Sequence, residues 1–148
     1  MGLIGSMLKL GWLESIPFEA LLGHTITDIQ LNDERDEILF TLAPHPEIPD
    51  GLRLKLFHYQ DCCETVTVDD IAGDLDDLIG TPITLAEEST NSEDSTGIQN
   101  TEDLDSFTWT FYKLATVKGY VTIRWFGESN GYYSESVSLA RIGKEDGG

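Results

Sequence analysis

Phe107-Thr-Trp-Thr-Phe-Tyr-Lys-Leu-Ala-Thr116 and Tyr120-Val-Thr-Ile-Arg-Trp-Phe126, joined through Lys118-Gly119, decide the fold class of this chain. Both runs are dense in aromatic and β-branched residues, which suit a pleated, half-buried surface. In the second run Tyr120, Thr122, Arg124 and Phe126 share one face, while Val121, Ile123 and Trp125 share the other. That period of two marks a strand with one side in the core. Tyr132 to Leu139 reads as a third strand, and the Asn-Gly pair in Ser129-Asn130-Gly131 favours a tight hairpin before it. The C-terminal third is therefore expected to be a three-stranded meander.

Upstream, Thr25 to Leu31 and Glu37 to Leu42 flank the turn Asn32-Asp33-Glu34-Arg35 and predict a hairpin. Ala43 to Gly51 carries Pro44, Pro46 and Pro49, a stiff loop. In Leu52 to Tyr59 the residues Leu52, Leu54, Leu56 and His58 alternate with Arg53, Lys55, Phe57 and Tyr59, a further strand. Thr65 to Val68 and Ile83 to Ala86 read as shorter ones. Two short helices are expected. Ser15 to Gly23 has Ser15 as N-cap, Pro17 in the first turn and Gly23 as the stop. Asp69 to Ile79 places Ile71, Leu75, Leu78 and Ile79 on one side, with Asp69 and Asp70 favouring its N-terminus. Together these predict an α+β domain, mainly antiparallel sheet of about seven to eight strands.

A chain of 148 residues with 40% hydrophobic residues can bury one core without metals or disulfides. The expected organisation is an apolar N-terminal segment over 1–14, a single domain over 15–142 and a flexible tail over 143–148. Glu87 to Ser106 contains only Ile98 and Leu104 as sizeable apolar residues and reads as a mobile acidic loop within the domain. No apolar run reaches the ~18 residues that a spanning helix needs, so no membrane association is expected.

Twenty-seven acidic residues against nine Lys and Arg give a net charge of −18. Such a chain repels nucleic acids and anionic membranes at long range, which argues against direct nucleic-acid binding. The charges are segregated. From Leu56 through Tyr112 there is no Lys or Arg, yet fourteen acids. The basic residues lie mostly on strands.

There is no Gly-x-Ser-x-Gly, phosphate-cradling Gly loop, His-Glu-x-x-His or dinucleotide fingerprint, so no catalytic residues, cofactor or enzymatic activity are expected. His58-Tyr-Gln-Asp-Cys-Cys-Glu64 gathers metal-capable side chains without a standard zinc spacing, and no metal site is expected. Cys62 and Cys63 are adjacent, point to opposite faces of a strand, and could form a vicinal disulfide only in a special local geometry. With no disulfide framework, a reducing cytosol is the expected home. The candidate ligand-binding residues are Arg124, Tyr112, Tyr120, Lys113, Tyr132, Ser129, Asn130 and His58. Aromatic rings stack on a nucleobase and Arg grips a phosphate, so this set points to a nucleotide.

The strings His58-Tyr-Gln-Asp-Cys-Cys-Glu64, Gly73-Asp-Leu-Asp-Asp-Leu-Ile-Gly80, Ala86-Glu-Glu88, Thr108-Trp-Thr-Phe-Tyr-Lys113, Arg124-Trp125 and Ser129-Asn-Gly-Tyr-Tyr-Ser-Glu135 resemble an uncharacterised family of small phage and prophage proteins. The resemblance covers roughly Leu21 to Val137. It implies a phage origin, and with it action in the host cytoplasm, and supplies no mechanism. The reading taken forward is sequestration of a small nucleotide immune signal, with a homo-oligomer as one way to build the site. The alternatives are an acidic DNA mimic that blocks a host defence protein such as a nuclease or restriction complex, and a virion or assembly accessory protein.

Overall fold

The computed structural model describes residues 14–92, 106–131 and 133–142. Their nine strands are β1 (Glu14–Ser15), β2 (Ile26–Leu31), β3 (Glu37–Leu42), β4 (Leu52–Phe57), β5 (Thr65–Ala72), β6 (Leu85–Asn91), β7 (Ser106–Thr116), β8 (Gly119–Ser129) and β9 (Ser138–Ile142). One sheet has the order β1-β9-β4-β3-β2 and the other β5-β8-β7-β6. Every strand pairing is antiparallel. The fold is mostly β.

The opening pair of runs forms β7 and β8, in register from Ser106↔Ser129 to Thr116↔Gly119. Val121, Ile123 and Trp125 are fully buried, as their alternation predicts. They meet Ile38, Phe40, Leu54 and Leu56 of the other sheet in one core, with Tyr112 and Leu114 from β7 and Val66 and Val68 from β5. The two sheets thus bury their apolar faces against each other, the arrangement that antiparallel sheets with alternating sequence reach.

Four expectations change. The third strand of the meander does not continue beside β8: Ser138–Ile142 crosses to the other sheet and pairs with β4 and β1. The N-terminal helix is a single 3-10 turn, Phe18–Leu21, preceded by Pro17 and without a side-chain cap from Ser15. No acidic helix forms at Asp69. Thr65–Ala72 continues as β5 along β8 with a bulge between Val68 and Asp70, and only Leu75–Leu78 forms a 3-10 turn. β8 offers this segment a full row of backbone partners, which outweighs a helical pattern rich in Asp. Gly73 (φ 108°) ends β5 where any Cβ would meet the Tyr120 carbonyl oxygen at 2.6 Å. The expected mobile loop is also shorter: Glu87 to Asn91 belongs to β6, paired with β7 through Asn91↔Trp109. The rest of that loop, with the 1–13 segment, Tyr132 and the 143–148 tail, lies outside the described residues.

Among the described residues no helix is long and apolar enough to cross a membrane. Leu114 is fully buried between the sheets, so Leu114→Ala should lower stability by about 2–5 kcal/mol in denaturant unfolding. Val117→Ala in the exposed turn should stay within about 0.5 kcal/mol.

Candidate functional site

Arg124 leaves β8 on the outer face of its sheet, beside Trp109 and Phe126. The β5 bulge turns Asp69 onto it. Arg124 Nε and Nη2 donate to Asp69 Oδ2 at 2.9 and 2.5 Å, with both side chains mostly covered. The guanidinium also lies 5.2 Å from the Trp109 ring centre. Trp109 itself is fully buried and packs on Phe126 at 4.5 Å. Arg124 is thus committed to a carboxylate and an indole of its own chain.

Tyr112 points the other way. It is buried in the core, and its hydroxyl donates to Glu88 Oε2 at 2.9 Å. Burial, reinforced by the Glu88 charge, pushes its phenol well above the ordinary range. Tyr120 is half exposed on the outer face, one strand away from Lys113 across Thr122 and Ala115. Ser129 Oγ donates to Glu135 Oε2 at 2.5 Å, and Thr108 Oγ1 donates to Glu135 Oε1 at 2.7 Å. Asn130 lies in the exposed turn after β8. Among the described residues the expected ligand set therefore divides between two faces of the sheet; Tyr132 lies outside them.

His58 is also spent internally. Its Nδ1 lies 2.6 Å from the Ser136 carbonyl oxygen and its Nε2 lies 2.6 Å from Glu64 Oε2. Glu64 further accepts from the backbone N–H groups of Asp61 (2.7 Å) and Cys62 (2.9 Å). Burial alone would raise the Glu64 carboxyl, but the hydrogen bonds from His58, Cys62 and Asp61 outweigh it and bring it down to about 2. An ionised carboxylate only accepts, so the Nε2 of His58 is the donor to Glu64. Cys62 and Cys63 close a vicinal disulfide at this loop, where the sequence favoured two thiols. Two of the recognised strings thus meet in one polar knot, His58 to Glu64 on one side and Ser136, next to Glu135, on the other. Gly127 permits the crossing, because a Cβ there would lie 2.9 Å from the Glu135 carbonyl oxygen.

Two arrangements were invisible in the sequence. A cleft of about 330 Å³ opens at the end of the five-stranded sheet, lined by Thr41, Leu42, Asp50, Gly51, Leu52, Arg53, Arg141 and Ile142. Arg53 pairs with Ile142 and Arg141 with Leu54, so the two arginines stand one register step apart on β4 and β9 and leave opposite faces of the sheet, Arg141 on the side of buried Leu54. Each also has an interaction within the chain. The second arrangement groups His24, His45 and Glu47, with one ligand-capable atom of each within 4.8 Å of the others. Burial, followed by the nearby His45, lowers the pKa of His24 against the pull of Glu47. Neither set has a tell-tale spacing; loop closure and strand pairing assemble both.

The family described as a domain of unknown function, DUF7448, matches residues 19–139, and the chain belongs to it. Arg53 lies inside that region and Arg141 just beyond it. No curated protein and no solved structure matches the chain.

The Glu64 carboxyl is depressed on folding, so its stabilising effect is complete above its ordinary value of 4.5 and fades as pH falls toward about 2. Glu64→Gln should therefore lower the urea midpoint near neutral pH. The gap from the parent protein should narrow as the pH falls through that window, measured by urea titrations at stepped pH.

Proposed function

We propose that the protein is a phage-encoded, non-catalytic binding protein that sequesters a small phosphate-bearing nucleotide signal of its host's defence in the host cytoplasm. The ligand would sit in the Arg53/Arg141 cleft rather than over Arg124. The supporting observation is the cleft: two arginines are among the residues at the rim of the sheet that line a volume at the lower end of the range for small-molecule sites. Guanidinium is the side chain best matched to phosphate oxygens, and Asp50 and Thr41 add acceptors suited to ribose hydroxyls. The surrounding negative charge opposes long polyanions more than a compact ligand that two arginines can neutralise.

A second reading, an acidic surface that occupies the nucleic-acid site of a host protein, draws on the exposure pattern. Among the described residues the exposed acids are Glu19, Asp28, Asp33, Glu34, Glu47, Asp50, Asp61, Asp70, Asp74, Asp76, Glu87 and Glu88, while the exposed cations are only Arg35 and Lys118. Both cations are tied back, Arg35 to the Val68 carbonyl and Lys118 to the Ile79 carbonyl.

A thermal-shift and calorimetry screen with cyclic nucleotides, cyclic dinucleotides and ADP-ribose derivatives separates the two. Sequestration predicts that one class raises Tm and is recovered unchanged. Arg53→Ala and Arg141→Ala should each cost at least tenfold in affinity, while Arg124→Ala should leave affinity within about threefold. If no nucleotide binds, and a DNA-binding host enzyme is retained by the protein in a manner that salt reverses, the acidic-surface reading replaces it. Turnover of a bound nucleotide would overturn the non-catalytic reading.

A further inference from the structure

His24, His45 and Glu47 lie apart from the proposed anion cleft, and their geometry carries a different chemistry. His24 follows the first 3-10 turn and is held by its backbone: its N–H donates to the Leu21 carbonyl at 3.1 Å and its carbonyl accepts from Ile83 N–H at 2.9 Å. His45 and Glu47 belong to the proline-rich loop, where His45 and Ile48 exchange a pair of backbone hydrogen bonds at 3.1 and 2.8 Å. Both anchors are thus fixed before any ligand arrives. The imidazole centres stand 4.4 Å apart, and His24 Nε2 is 3.5 Å from Glu47 Oε1, too long for a good hydrogen bond.

His24 is also buried, at 3% exposure, with an Nδ1 that no group among the described residues satisfies. Buried polar atoms are nearly always paired, and an ion held at Nδ1 would supply that partner, whereas one held at Nε2, the atom beside Glu47, would leave it open. One shared cation suits the lone pairs of two adjacent imidazoles and a carboxylate.

We propose that His24, His45 and Glu47 form a binding site for one divalent transition-metal ion of the zinc, cobalt or nickel type. Two imidazoles and a carboxylate are a donor set that such ions favour over magnesium or calcium. Coordination asks one adjustment, because Glu47 N–H donates to His45 Nδ1 at 3.1 Å. The loop exchanges that bond for a metal bond at Nδ1, or shifts the ring proton to free Nε2. Bound metal ties the proline-rich loop to the His24 turn, next to the bridge between Thr25 and Pro82. The structural consequence is a stapled loop, and the three protein ligands leave at least one position for water or another ligand.

The test uses the untagged full chain, stripped with chelator, in a Cys62→Ser/Cys63→Ser background that removes sulfur ligands. Zn²⁺ and Co²⁺ are titrated by calorimetry, with Co²⁺ absorption reporting the donor set. One equivalent of Zn²⁺ should bind and raise Tm, and Mg²⁺ should do neither. His45→Ala and Glu47→Gln, both at accessible loop positions, should each weaken Zn²⁺ binding at least tenfold while their metal-free Tm stays close to the parent's. Failure of the parent to bind Zn²⁺ overturns the proposal, as does binding that survives unchanged in both variants. Neither result bears on the nucleotide reading, whose readouts are the Arg53 and Arg141 variants.

Discussion

The β7–β8 hairpin carries two apolar faces, and the remaining strands are arranged by the need to cover both. Its inner face, with Tyr112, Leu114, Val121, Ile123 and Trp125, is sealed by β3 and β4 of the opposing sheet. Each large side chain buried there contributes roughly 1.5–3 kcal/mol, so the pair of strands outweighs any single local preference elsewhere. β5 and β6 complete its two edges, which turns segments of unpromising composition into strands. On the outer face Trp109 and Phe126 are covered as well, and Arg124 lies across the indole. A sheet with aromatic residues on both sides leaves little room for a flat, open stacking platform.

Charge is the second constraint. A chain at −18 pays self-repulsion in its compact state, and the arrangement of its few cations limits that cost. Arg124 neutralises Asp69, Lys55 neutralises Glu37, and Arg35 and Lys118 hold backbone carbonyls. Cations used this way stabilise strand ends and the bulge. At the end of the five-stranded sheet Arg53 and Arg141 are among the residues that line a concave surface.

The recognised motifs do architectural work. His58, Glu64 and Ser136 join two distant loops through short, mostly buried hydrogen bonds, while Glu135 collects Ser129 and Thr108. Removing one member leaves the others unsatisfied in a covered site, which is costly and accounts for such a specific residue pattern without a ligand. The cleft and the His24 cluster are assembled from ordinary-looking residues on strand ends and a proline-rich loop.

The period of two in Tyr120 to Phe126 and Leu52 to Tyr59 was enough to define strands, their buried faces and the β-rich class, because alternation reflects a purely local geometry. The Thr25–Leu42 hairpin was legible for the same reason. The fate of Asp69 to Ile79 was not: its residues allow a one-sided helix or a strand, and only the free edge of β8 decided between them. Nor could local pattern show that β9 leaves the meander for the other sheet. The same holds for the sites. Sequence assigned Arg124, His58 and Tyr112 the right chemistry for a ligand, but tertiary structure gave each an internal partner, Asp69, Glu64 and Glu88. A side chain's capacity to bind is written in its chemistry, whereas its availability depends on what long-range pairing brings beside it. The strand-rich, acidic character was thus a property of the chain, and which of its polar groups remain for a partner was decided only by the fold.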